Sequence, residues 1–488
     1  MSQTPEQLVR RSNNGSWSFQ QPQVSPEFQN FEQKYSVLTN LDFTNPNQIT
    51  SIEGALYEAC EAISKFHSQI PDNFVEQSHI IFFLMDLLLK FESFPLIFER
   101  TSILLFYVLN NSKKALCEFI QNNPKNYILR LFNTENLKEN QVCYEILIRL
   151  NDPHCKDIGC QDFFESLSLY SEIIERTSNI IRGIPLQNPE NVSYKTNIIL
   201  LLRVILGFTN AMPIEKISQY SESLFSIFKI VLTYENEQIR ILLSKYAIYS
   251  LFFLAQKPLY KKIIEDHLFE LSMHFIDNLQ TASFATLLAI QMLQVSSSDN
   301  NDSLNEVKKF LPIEELHFYF LKNNDDQLLG YILTLFTNFI CFDDRGLKEQ
   351  LSSNDDLERL NQLIVSDNSD IQQRTIWCIW SLLRFGDFNA LTRILSFPDL
   401  KEILVDISFA IEDILFIKSV LIPSIMSVSK TITNANVNDQ KPYSDFMISL
   451  EGPLRDLCYK EDQPVIMSIA ASCLKAVFPD IFESQNFS

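Results

Sequence analysis

Apolar residues dominate runs of seven to sixteen positions, separated by short polar links, from about residue 50 to the end of the chain. The strongest runs are Ile80–Phe91, Ile103–Leu109, Ile198–Phe208, Ile239–Leu254, Phe284–Val295, Leu328–Phe342, Ile371–Phe385 and Val465–Phe478. Each is nearly apolar on all sides, which predicts a helix packed between neighbours rather than one with a wet face. More amphipathic stretches, such as 258–278 and 347–363, alternate with them and predict an outer layer. Within the apolar runs a short motif recurs: Tyr246-Ala-Ile-Tyr-Ser250, Ile290-Gln-Met-Leu-Gln294, Thr334-Leu-Phe-Thr-Asn338 and Trp377-Cys-Ile-Trp-Ser381. Its last positions are spaced by 44, 44 and 43 residues. A fixed period of this size marks a helical solenoid, in which each unit buries its apolar face only by stacking on the next.

Polar clusters precede these runs at the same period: Glu235-Asn236-Glu237, Asn323-Asn-Asp-Asp326, Asp367-Asn-Ser-Asp370 and Glu461-Asp462. Asn and Asp there cap exposed amides at helix starts, and the acids favour the positive end of the helix dipole. Pro464 fits a first-turn position. The period loosens over 153–196, which reads as an insertion, and over 431–445, which reads as a loop. Residues 1–45 are rich in Ser, Gln, Asn and Pro and show no sustained apolar period. They predict a disordered polar tail in which Trp17, Phe19 and Phe28 are chance aromatics. The repeat region then spans 46–485, and dividing it by the period gives roughly ten units.

Composition removes several function classes. Only 9 of 488 residues are glycine, and no two lie closer than Gly330 and Gly346. Neither G-x-G-x-x-G nor G-x-x-x-x-G-K-[ST] can occur, so the usual phosphate-cradling loops are excluded. Lys and Arg number 40 against 60 Asp and Glu, a formal charge of −20. A field of that sign repels phosphate backbones and anionic membranes and attracts cations, so direct nucleic-acid binding is not expected. Nine cysteines, most of them inside apolar runs, read as small hydrophobes in a reducing compartment. No run reaches the roughly 18 apolar residues of a membrane span, because Asp86 and Arg203 interrupt the best candidates. No G-x-S-x-G or H-E-x-x-H is present. His267, Glu270 and His274 share a helical face by spacing, but they read as a solvated outer face rather than a metal site. His154-Cys155 with Cys160 lacks zinc-ligand spacing, and Asp343-Asp344 and Asp355-Asp356 read as solvated turns. No catalytic set, metal site or cofactor is expected.

The recurring helix resembles the inner helix of armadillo repeats. In the importin-α branch of that family this helix carries Trp-x-Leu-[Ser/Thr]-Asn, with Trp and Asn four apart on one face. Here Thr334-Leu-Phe-Thr-Asn338 supplies the Asn, Trp377-Cys-Ile-Trp-Ser381 the Trp, and Phe106-Tyr-Val-Leu-Asn110 an aromatic and an Asn; Tyr246 with Ser250 is a weaker version. The resemblance implies an all-α, right-handed armadillo/HEAT-type solenoid and a non-enzymatic adaptor. Its peptide-binding groove would be lined by Phe106, Asn110, Tyr246, Ser250, Thr334, Asn338, Trp377 and Ser381. It also implies a protein or extended basic peptide as partner, as in nuclear import, and a cytoplasmic or nuclear location. Unlike that branch, the first 45 residues hold only Arg10, Arg11 and Lys34 as basic residues. The alternative is a structural or regulatory scaffold that uses its convex surface or its ends.

Overall fold

The structure is a computed structural model that describes residues 25–479, apart from 67, 153–154, 156–158, 184, 189–190, 257–258, 300, 343–344, 398–399, 412, 434–440 and 461–462. Trp17, Phe19, His154, the pair Asp343-Asp344 and the pair Glu461-Asp462 therefore lie outside the described residues. The fold is all-α, and no strand occurs among the described residues. The chain divides into two compact units, one of residues 1–176 with 184–211 and one of residues 177–183 with 212–488.

In the first unit a helix α1 (Pro26–Thr39) precedes the inner helices α2 (Ile49–Ser64), α3 (Pro95–Asn111), α4 (Leu137–Leu150) and α5 (Val192–Ala211). Each packs on the next in chain order. In the second unit the inner helices are α6 (Glu237–Ala255), α7 (Ala282–Asp299), α8 (Asp326–Cys341), α9 (Ser369–Phe385), α10 (Ile422–Thr433) and α11 (Pro464–Val477). They stack consecutively in the same way. A turn of π-helix over Ile417–Leu421 leads into α10. Shorter amphipathic helices connect the inner ones. The repeat architecture expected from the period is thus the architecture observed.

The starts of the inner helices explain why the register holds. Asn136, Asn236, Asp325 and Asn368 cap α4, α6, α8 and α9, each accepting a backbone N–H of the first turn on its side-chain oxygen. Asp413 does the same for the turn over Ile414–Phe416. All five hold nearly one backbone conformation, with φ from −72 to −86° and ψ from 106 to 114°. The short side chain and the extended backbone are what an N-cap requires.

Several expectations need correction. The segment 26–45 is not a disordered tail. Phe28, Phe31, Tyr35 and Leu38 are buried at intervals of three, four and three, so α1 presents one apolar stripe to the core. Phe28 is packed by Phe66 and Phe74, with ring centroids 5.5 and 5.1 Å away. Ser25 and Pro26 supply the cap and first-turn proline that start the helix. The run Ile80–Phe91 is a connecting helix, Ile80–Lys90, that leaves Phe82 and Leu89 68% and 74% exposed. The supposed insertion over 153–196 contains two ordinary connecting helices, Cys160–Leu167 and Tyr170–Gly183. The supposed loop 431–445 is helical up to Thr433 and again from Lys441. The supposed single helix 258–278 is two, Tyr260–Glu265 and Leu268–Met273, broken where His267 adopts φ of 60°. His267, Glu270 and His274 therefore share no continuous helix. Finally, three helices are long and apolar enough to cross a membrane by length and composition: Val192–Ala211, Glu237–Ala255 and Ile414–Thr433. The helices extend beyond their apolar cores, which is why counting apolar residues missed them. Here they stack as inner helices, with 44 to 50% of each span buried.

Phe31 is fully buried, so Phe31→Ala should destabilise the first unit by about 3–5 kcal/mol, read by thermal or urea melting. Asp325→Ala removes a cap and should cost about 1 kcal/mol in the second unit.

Candidate functional site

In the second unit a cavity of about 400 Å³ lies along α7, α8, α9 and the Ile417–Leu421 turn. Thr334, Asn338, Trp377 and Ser381 all line it. Four of the eight groove residues expected from the sequence are therefore brought together. Gln294, the matching position of α7, lines it too.

The other four are not part of this cavity. Ser250 is fully buried in α6, with no partner for its hydroxyl, and belongs to the core. Tyr246 is half-buried beside Lys245, whose Nζ lies 5.0 Å from the ring centroid. Phe106 and Asn110 lie on α3 of the first unit, where Phe106 is half-buried against Tyr107 and Asn110 is exposed.

The two tryptophans of α9 have different roles. Trp380 is fully buried, its indole donates to Ser408 Oγ at 2.7 Å, and its ring packs on Phe446. Trp377 lines the cavity, with its ring against Phe416 at 5.8 Å between centroids. Its Nε1 is closed to solvent and has no hydrogen-bond partner. The same holds for Asn338 Nδ2 on the facing helix. A buried donor left unpaired costs about 1–3 kcal/mol, so these two nitrogens are the costliest polar atoms of the cavity.

Sequence reasoning missed the charged residues. Asp370, Arg374, Trp377, Ser381 and Arg384 follow one another at intervals of four and three, which puts them on one stripe of α9. That spacing was the signal; the search for Trp and Asn alone passed over it. Arg374 donates to Asp370 Oδ2 at 2.9 Å, to Gly330 O at 3.2 Å and to Thr334 Oγ1 at 2.6 Å. It can lie this close to α8 because residue 330 is glycine: a Cβ there would sit 3.3 Å from Arg374 Cδ and Nε. Arg384 donates to Ser419 O at 3.0 Å and packs over the Phe385 ring. Among the described residues no carboxylate pairs with it. The lining thus carries two guanidinium groups and one carboxylate that is already ion-paired. The acidic, aromatic stripe expected for a basic peptide is absent here.

Cys341 also lines the cavity. Burial pushes its thiol up, against the opposing pull of Ser381 and Arg384. Burial likewise raises the Cys60, Cys378 and Cys473 thiols to about 12. All stay protonated near neutral pH, so none is an activated nucleophile. Among the described residues no group of three or more His, Cys, Asp or Glu is placed to hold a metal ion.

No family model matches the chain, and no curated protein matches it in sequence. Solved structures do match in fold. An engineered protein aligns with a TM-score of 0.58 at 12% identity, covering 92% of this chain and 98% of that one. A designed armadillo repeat protein in complex with the peptide (KR)4 aligns with a TM-score of 0.40 at 13% identity, covering 52% of this chain and 98% of that one. Identities this low concern the fold alone.

Trp380→Ala should cost about 3–5 kcal/mol of stability, because it opens a core cavity. Trp377→Phe should cost far less or nothing, because it removes an unpaired N–H and keeps most of the ring. Melting the two variants side by side checks the division of roles.

Proposed function

We propose that the chain is a non-enzymatic scaffold that binds an extended segment of another protein along the inner helices α7, α8 and α9. The observation that carries this reading is the pair of acceptor-less donors, Asn338 Nδ2 and Trp377 Nε1, in one cavity. An extended peptide offers a carbonyl acceptor at every residue, and its own strand-like backbone finds no partner without such donors. Because both nitrogens are closed to solvent, an incoming carbonyl reaches them only after lining side chains shift. The protonated thiols argue for a binding surface rather than a reaction centre.

The narrower version of this reading, an import adaptor for basic segments, draws on the Asn and Trp positions alone. Arg374 and Arg384 border them, and the one carboxylate of the lining, Asp370, is paired with Arg374 rather than free to hold Lys or Arg. A cytoplasmic or nuclear location remains part of the proposal.

Titrating the full chain with a fluorescein-labelled peptide library, read by anisotropy, tests the reading. Asn338→Ala should weaken the best binder roughly three- to tenfold, the worth of one hydrogen bond. Its melting temperature should stay level or rise, since the change removes an unpaired polar group. Failure of every peptide to bind, or full affinity in Asn338→Ala, would overturn it.

A further inference from the structure

We infer that the cavity selects an oxyanion on the bound segment: the carboxylate of an acidic side chain, or a phosphate carried on a hydroxyl side chain. This rests on the peptide-binding reading above and adds the chemistry of the partner. Three observations carry it. First, the two lining atoms that are closed to solvent and unpaired, Trp377 Nε1 and Asn338 Nδ2, are both donors, and Arg384 adds further N–H groups beyond its one bond. The indole can only donate, whatever its surroundings. Second, the single carboxylate of the lining, Asp370, is held by Arg374. Third, Arg384 is used differently from its neighbours. Arg374 engages Asp370, Gly330 O and Thr334 Oγ1, and Arg359 engages Phe320 O, Asn323 O, Asn324 Oδ1 and Gln362 Oε1. Arg384 engages Ser419 O alone among the described residues, although a guanidinium carries five N–H donors in a fork that fits a carboxylate or phosphate edge.

The competing account is that Arg384 merely ties α9 to the Ile417–Leu421 turn through Ser419. One bond suffices for that, and it leaves the rest of the fork at the cavity wall. The formal charge of −20 also opposes an acidic partner. At physiological salt, however, fields are screened over about 8 Å, so the arginines nearest the ligand decide its sign.

The test measures anisotropy of four labelled octapeptides on the full chain: alternating Glu and Asp, phosphoserine and Gly, Lys and Arg, or Ser and Asn. At least one anionic peptide should bind tenfold or more tighter than the neutral one, and the basic peptide no tighter than the neutral one. Arg384→Gln should erase that advantage, bringing the best anionic peptide to the affinity of the neutral one. Which anionic peptide binds tighter tells carboxylate from phosphate. Trp377→Phe, which keeps the ring, should weaken the anionic peptide as well. Equal affinity for the neutral and anionic peptides, or tightest binding of the basic one, overturns the oxyanion assignment and leaves the peptide-binding reading standing. An unchanged preference in Arg384→Gln does the same, and so does a loss explained by a lower melting temperature. No binding by any peptide overturns both.

Discussion

An inner helix buried by the helix before it and the helix after it has no freedom to slide, and this constraint organises the rest of the structure. A shift by one residue would rotate its apolar faces by about 100° out of both contacts. The start of each helix must therefore be fixed, and at α4, α6, α8 and α9 a capping side chain fixes it. Asn136, Asn236, Asp325, Asn368 and Asp413 sit at nearly the same backbone angles. Once the start and the two buried faces are set, equivalent positions of successive helices point the same way. Gln294, Asn338 and Ser381 face one cavity for that reason, before any ligand is considered.

Charge is distributed by the same stacking. Arginines reach back across a repeat to carbonyls of the preceding one: Arg100 to Glu53 O, Arg130 to Glu92 O, Arg359 to Phe320 O and Arg374 to Gly330 O. Arg130 and Arg176 also lie over the Phe98 and Phe132 rings, at 3.9 and 4.1 Å from their centroids. A guanidinium suits this work, because its donors form a rigid fork and its flat face stacks on rings. Many cations are thus spent inside the fold, so the formal charge says little about any one patch. A strongly acidic chain can present an arginine-lined cavity.

The repeat was legible because burial on two sides leaves little choice of residue: Ile248, Met292, Phe336 and Ile379 recur on schedule and are all fully buried. The caps were legible because few side chains can do that work. Helix α1 was hidden because its stripe is narrow. Phe28, Phe31, Tyr35 and Leu38 stand among Gln, Glu and Asn, and composition outweighed a period that was present. The break at His267 gave no signal, since neither glycine nor proline marks it. In the cavity, Asn338 and Trp377 were legible by resemblance, whereas Tyr246 and Ser250 matched that pattern weakly and rested mainly on the period. Period fixes which way a side chain points, not whether a neighbour covers it, and Ser250 is covered. The arginines were missed because the pattern sought had no charge in it.

Trp377 and Trp380 show how far local context outruns residue type. They lie three apart on one helix, yet one donates to Ser408 Oγ deep in the core while the other keeps its N–H unpaired at a cavity wall. A fold optimised only for stability would have phenylalanine or leucine at residue 377, with the same packing against Phe416 and no stranded donor. Asn338 repeats the point on the facing helix, where an apolar residue would also avoid an unpaired amide. Two such departures in separate helices, meeting in one cavity, together cost about 2–6 kcal/mol relative to satisfied groups. Under the proposed peptide binding, a bound segment that brings the acceptors regains that stability. On that proposal the binding energy comes from the free protein's own unsatisfied groups, with the stacked helices holding them in position.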